Sequence, residues 1–434
     1  MTRTRWIALT CLLLSCGLSV SLGFFLERTK PDLMLDFKGV FFDAKCLLQH
    51  SDPYNPGEPL RAYLAEEGSV AQSADGLRQV LMRDVYLPTT SIFIAPFAML
   101  SLEPAQVLWM ILTAVSLVVA GYLIWSLGAK YAPVVSACLI CLVLANSEVL
   151  FATGNPAGVA VSLCVVAAWC FLKDRFVLVG VLCLAISLAI KPHDAGLVWL
   201  YFLLAGGINR KRALQTLLIT AVLGLAAIVW VTPISPHWIE ELHSNLLAVS
   251  APGGTSDPGL SAPTSRTVSM VIDLQSVVAV FRNDPFLCNS ITYIVCGALL
   301  LAGAVRTLRS HISKRGTLLA LAAIAPLTVL MIYHRPCDAK LLLLAVPACA
   351  MLWAEGGRIG RLALLVTTAG IAATADLPLI IFLALTKNLR ISTDGLSAQM
   401  LSVIIARPVP LILLAMSVFY LWVYLRREPA RSQP

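Results

Sequence analysis

The feature that most constrains this chain is a succession of apolar runs, each close to a bilayer in length, joined by short polar connectors. A helix crossing the ~30 Å hydrocarbon core needs about 20 mainly apolar residues, because there the backbone must satisfy its own hydrogen bonds. Suitable runs lie at roughly 6–25, 104–126, 133–150, 157–172, 176–190, 195–208, 213–233, 288–305, 317–333, 338–353, 361–385 and 406–425. Only 13% of the residues are charged, against roughly 25% in soluble domains, so a water-soluble surface is excluded. The expected fold is an all-α polytopic membrane protein with about 12 transmembrane helices, a single multi-span domain over residues 1–434.

The stretch from Thr89 to Leu102 is apolar too, but at about 1.5 Å per residue it reaches only ~21 Å. It contains Pro96 and is followed by Glu103-Pro104, so it reads as a re-entrant or surface helix. Charge supports that choice. With twelve crossings and the amino terminus inside, the cytoplasmic pieces hold 17 basic residues against three acids, and the opposite side 15 against 21. Counting 89–102 as a crossing would invert this and break the positive-inside rule. Both termini are therefore expected in the cytoplasm, and the net charge of +8 marks a leaflet rather than a nucleic-acid partner.

Nine of the twelve cysteines lie in apolar runs, where they behave as small hydrophobes. No two CxxC motifs occur, so neither a zinc site nor a disulfide framework is indicated. No phosphate-binding glycine loop, HExxH or GxSxG is present. No metal and no cofactor is expected.

On this topology the polar connectors gather on the outer side. A long first external loop, 26–103, carries short interfacial helices, and a second large one spans 234–287. In the first, Pro31-Asp32 opens a helix expected to run to about Gln49, with Asp36 and Asp43 seven residues apart on one face. Most of the loop's acids read as solvating a surface. Asp36, between Leu35 and Phe37 near the membrane boundary, is the exception and suits a general-base role. Asp52-Pro53-Tyr54-Asn55-Pro56 is a turn cluster, and Tyr86-Leu87-Pro88 closes the loop. Gly154-Asn155 forms a tight turn. Lys191-Pro192-His193-Asp194 interrupts an apolar run; the lysine reads equally as snorkelling from a helix end or as holding an anionic phosphate. Tyr333-His334-Arg335-Pro336-Cys337-Asp338-Ala339-Lys340 is denser still, and such clusters between apolar helices are functional candidates. Arg335 and His334 could neutralise a phosphate. Asp376 lies deep in the eleventh run.

In this order the motifs resemble glycosyltransferase family 87, the polyprenyl-phosphomannose-dependent α-1,2-mannosyltransferases of the GT-C type. The matching features are Asp36-Phe37, Asp52-Pro53-Tyr54-Asn55-Pro56, Tyr86-Leu87-Pro88 leading to Pro96, Ala105 to Trp109, Gly154-Asn155, a helix containing Gly180, and Lys191-Pro192. The resemblance covers roughly residues 30 to 212. It implies an inverting hexosyltransferase at the outer face of the bacterial inner membrane. That enzyme would move a sugar such as mannose from a polyprenyl-phosphate donor to a lipid or glycan acceptor. Asp36 would be the catalytic base, and Tyr86, Asn155, Lys191, His334, Arg335 and Asp338 would bind substrate. Two other classes fit a dozen spans: a transporter or lipid flippase, and a non-catalytic protein that keeps the transferase fold.

Overall fold

A computed structural model of the protein describes residues 34–67, 75–259, 271–309, 313–375 and 395–426, with scattered residues between 6 and 21. Most of the expected first helix, the start of the first loop and Asp376 lie outside the described residues. Within them the chain is helical, without strands.

The first loop is a folded layer. It contains α1 (Leu35–Leu48), α2 (Glu58–Glu67), α3 (Asp75–Leu81) and α4 (Pro88–Ala98). The expected helix up to Gln49 is thus present, and the segment read as re-entrant is an 11-residue helix. α1 buries Phe37, Val40, Phe41, Ala44 and Leu47, the three-and-four spacing of one helical stripe. Phe37, Val40, Phe41 and Ala44 pack with Tyr63, Leu81, Ile94 and Trp109, and Leu47 with Tyr54, Val231 and Leu242. Phe37 stacks on Trp109 at 5.3 Å and meets Phe97 edge-on at 6.4 Å. Burying a ring of this kind stabilises by roughly 1.5–3 kcal/mol, so α1 is anchored to the bundle by its apolar face.

The bundle follows as α5 (Leu102–Gly128), α6 (Pro133–Ala145), the short α7 (Glu148–Thr153), α8 (Ala157–Lys173), α9 (Val177–Ile190), α10 (Pro192–Leu204) and α11 (Gly207–Val231). The second large loop contributes α12 (Trp238–Ser250) and α13 (Gln275–Phe281). Next come α14 (Pro285–Arg309), α15 (Lys314–Met331), a 3-10 segment (Asp338–Ala345) running into α16 (Val346–Glu355), α17 (Gly357–Ala373), α18 (Leu396–Ala406) and α19 (Pro408–Leu425). Proline opens α4, α6, α10 and α19, where its missing N–H costs nothing.

Six helices among the described residues are long and apolar enough to span a membrane. Among the described residues, other runs counted among the twelve fold as shorter helices, such as the 17-residue α8 and 14-residue α9. At 1.5 Å per residue α9 is about 21 Å long, shorter than the hydrocarbon core. The helices also differ in position. Windows of α11 and α14 are only 17% buried and turn Leu214, Leu218, Val222, Leu225 and Ile294 outward. An apolar exterior of that extent is a lipid-facing one. Most of α8 is buried instead, which makes it an inner helix, whereas α9 still turns Leu178, Val179 and Leu182 outward.

The two ends of the bundle differ. At one, Lys130, Lys173, Arg175 and Lys314 stand close enough to repel one another, and Arg212 pairs with Asp174. The opposite ends of α8 and α9 carry Asn155 and Lys191, and there the first loop sits.

Candidate functional site

The site is built around a helix stop. α7 ends at Gly154, whose φ of 62° is left-handed, a conformation that L side chains avoid. Space demands glycine as well, since a Cβ would lie 2.7 Å from Phe37 Cβ and 2.9 Å from Met34 Cε. The Gly154 carbonyl accepts the Trp109 indole N–H at 2.8 Å, and Met34 N donates to Ala152 O at 2.7 Å. The first turn of α1 is therefore seated on this stop. Two residues along α1, Asp36 Oδ2 accepts from Asn155 Nδ2 at 2.7 Å.

Asn155 faces two ways. Its Oδ1 accepts from Ala157 N at 2.9 Å and from Lys191 Nζ at 3.5 Å. Lys191 is the single extended residue between α9 and α10, because Pro192 has no N–H to continue the first helix. The hydroxyls of Thr89 and Thr90 donate to the Ala189 and Ile190 carbonyls at 2.5 and 3.0 Å, fixing α4 against this break.

The Lys191 side chain is not snorkelling. It is 7% exposed and donates to Asp338 Oδ1 at 2.5 Å, with Asp194 Oδ2 3.8 Å away. Burial alone would pull the ammonium down, but Asp194 and Asp338 outweigh it and hold its pKa above the usual range. Asp338 Oδ2 accepts from Arg335 N at 2.7 Å. The Arg335 guanidinium donates to the Tyr333 hydroxyl and, at 3.3 Å, to Thr255 O in the second large loop.

His334 is fully buried and its Nδ1 lies 2.8 Å from Ile332 O. A carbonyl only accepts, so Nδ1 carries a proton. Its Nε2 lies 3.2 Å from Asp194 Oδ1, and His193 Nε2 is 3.9 Å from the same oxygen. Burial lowers His334, but the Asp194 and Asp338 carboxylates together hold it above its ordinary range. Burial holds His193 down, at about 4. Tyr86 is fixed through its backbone: its N donates to Asp84 Oδ1 at 2.7 Å and its carbonyl accepts from Tyr54 at 3.0 Å. Burial first, and then Asp36, push its phenol up, so it stays protonated.

All seven residues singled out from sequence thus lie in one region: Asp36, Tyr86, Asn155, Lys191, His334, Arg335 and Asp338. Lys340 does not join them; its ammonium donates to Asn146 O between inner helices at 2.5 Å. Asp43 departs from expectation. It is 4% exposed rather than solvated, and lies beside Asp84, which is 2% exposed. One turn of helix separates faces of very different polarity, and sequence spacing alone did not show that Asp43 falls beneath the loop. Asp194 and Asn245 were also not singled out. Asp194 had a signal, three residues after Lys191 on a helix begun by proline. Asn245, which donates to the Tyr54 and Asp84 carbonyls at 3.0 and 3.1 Å, had none.

Lipid-facing helices, with a buried charged cluster at one end of the bundle, define an integral membrane protein. Residues 85–281 match the sequence model of glycosyltransferase family 87, which bears out the family resemblance of the motifs and implies a membrane glycosyltransferase. The matched region includes Tyr86, Asn155 and Lys191, with Asp36 before it and His334, Arg335 and Asp338 after it. No curated protein matches the chain.

Proposed function

We propose that the protein transfers a hexose, such as mannose, from a polyprenyl-phosphate donor to a lipid or glycan acceptor at the outer face of the inner membrane, with inversion. The observation that carries this reading is the Asp36–Asn155 hydrogen bond, which joins a carboxylate to the buried cation Lys191 and, through Asp338, to the backbone of the half-buried Arg335 in one polar network. Asp36 takes the proton of an acceptor hydroxyl as its oxygen attacks the anomeric carbon. The bond from that carbon to the phosphate oxygen breaks, and the polyprenyl phosphate leaves with its electron pair. Lys191, Arg335 and the corner at His334 face the growing charge, and preorganised cations of this kind act most strongly away from water. Asp338 keeps Lys191 in place, and the lipid tail lies along the apolar bundle.

The test is transfer by the purified protein in nanodiscs, given a panel of polyprenyl-phosphate sugars and acceptors. General-base catalysis contributes about 10²–10⁴-fold, so Asp36→Asn should lower turnover by that order while thermal stability is kept. Wild-type turnover in that variant removes Asp36 from the mechanism. Movement of the lipid across the bilayer without sugar transfer would make the protein a flippase.

A further inference from the structure

From the corner where α10 begins, we infer that His193, Asp194 and His334 form a binding site for one divalent cation of the zinc class. One donor atom from each residue lies within 4.8 Å of the other two. In a tetrahedral zinc site with bonds of about 2.0–2.1 Å, donor atoms stand about 3.3 Å apart. His334 Nε2 and Asp194 Oδ1 already meet that spacing at 3.2 Å. His193 Nε2 is 3.9 Å from the same oxygen, on a side chain that is 31% exposed and whose ring meets that of His334 edge-on at 5.0 Å.

The second observation is that these buried donor atoms make no hydrogen bond, although Asp194 keeps longer contacts to Lys191 and both histidines. Asp194 is 1% and His334 0% exposed, yet neither oxygen of the Asp194 carboxylate nor His334 Nε2 makes a hydrogen bond. The carboxylate stands 3.2 Å from the ring nitrogen. Buried carboxylates and imidazoles ordinarily have partners. The other ring nitrogen of His334 is spent on the Ile332 carbonyl, the arrangement that fixes a metal-binding histidine with its lone pair on the ligating nitrogen.

Charge points the same way. Before the histidines are counted, the network holds Asp36, Asp194 and Asp338 against Lys191 and Arg335, one negative charge in excess. Lys191 gives its short contact to Asp338, leaving Asp194 the more distant one. Two imidazoles and a carboxylate suit zinc better than magnesium or calcium, which prefer oxygen throughout. In the proposed transfer the cation, rather than a His334 N–H, would stand beside the leaving phosphate. That clause rests on the function proposed above, whereas the site does not.

The test reads binding alone. Full-length protein in detergent is stripped with chelator and equilibrated with Zn²⁺, and bound metal is counted by mass spectrometry; Co²⁺ is titrated in parallel and its visible bands recorded. One equivalent is expected. Asp194→Asn and His334→Gln should each remove at least nine-tenths of it, and His193→Gln should weaken it tenfold or more. Circular dichroism and thermal melts accompany each variant, and the partly exposed His193 serves as the probe if a buried substitution unfolds the chain. No bound metal in the wild type overturns the site. So does metal that folded variants retain in full, which would be adventitious binding to other histidines or cysteines.

Discussion

Replacing Lys191 by methionine separates what the Lys191–Asp338 pair does for the fold from what the lysine does for chemistry. The two side chains come from positions 147 residues apart, meet at 2.5 Å, and are 7% and 4% exposed. Removing one partner of a pair so buried costs about 3–5 kcal/mol, because the other charge is left without compensation. Lys191→Met should lose that much in equilibrium unfolding in mixed micelles. Adding Asp338→Asn should restore most of it. The amide removes the stranded charge and keeps an oxygen for the Arg335 N–H, while Asp194 retains His334 at 3.2 Å. The double-mutant cycle should show a coupling of at least about 1 kcal/mol, above the scatter of independent sites. Sugar transfer, in contrast, should stay lost in the repaired double variant, since no cation remains at 191 to face the phosphate. Additive losses would refute the pairing. Recovered transfer would refute the role of the lysine.

Gly154→Ala should cost roughly 1–2 kcal/mol for its left-handed backbone and ~1–3 kcal/mol for overpacking against Phe37 and Met34. Hydrogen exchange in 34–48 should rise with it, whereas Gly196→Ala, with no atom near its Cβ, should stabilise by about 1 kcal/mol. Equal melts for the two would show that α1 is not seated on the 152–155 turn. Burial raises both Asp43 and Asp84, the latter to about 7. A carboxyl raised in the fold holds its proton there, so this stability is whole below about pH 4 and is lost as pH rises through about 7. The first loop should therefore be cleaved faster by protease at pH 8 than at pH 5, and Asp84→Asn should flatten that difference. Identical cleavage at both values in the wild type would mean the pair is not protonated.

The helices were legible because each carries its own instructions. Prolines at 88, 133, 192 and 408 open helices at N1, and the stripe from Phe37 to Leu47 has helical period. The site was legible only in part. Asp36 and Asn155 are 119 residues apart, and no local pattern says that the loop will fold back on the helix stop; the order of family motifs carried that information. Lys191 read equally well as snorkelling, since burial depends on the partner at 338 arriving from another helix. Asp43 and Asp84 read as solvated because carboxylates usually are, and the packing of α1 over the loop decided otherwise.

The two-way grip of Asn155 has a consequence for selectivity. Its oxygen is committed to Ala157 N–H and Lys191, so its amide hydrogens can only face Asp36, and they occupy Oδ2. In the proposed transfer an incoming hydroxyl would then deliver its hydrogen most readily to Oδ1, the oxygen that Asn155 leaves open. On an acceptor bearing several hydroxyls, the one that reacts is the one whose O–H can reach that single open edge while its oxygen still points at the anomeric carbon. Regiochemistry would then be set less by a pocket shaped to the acceptor than by the orientation of one asparagine amide.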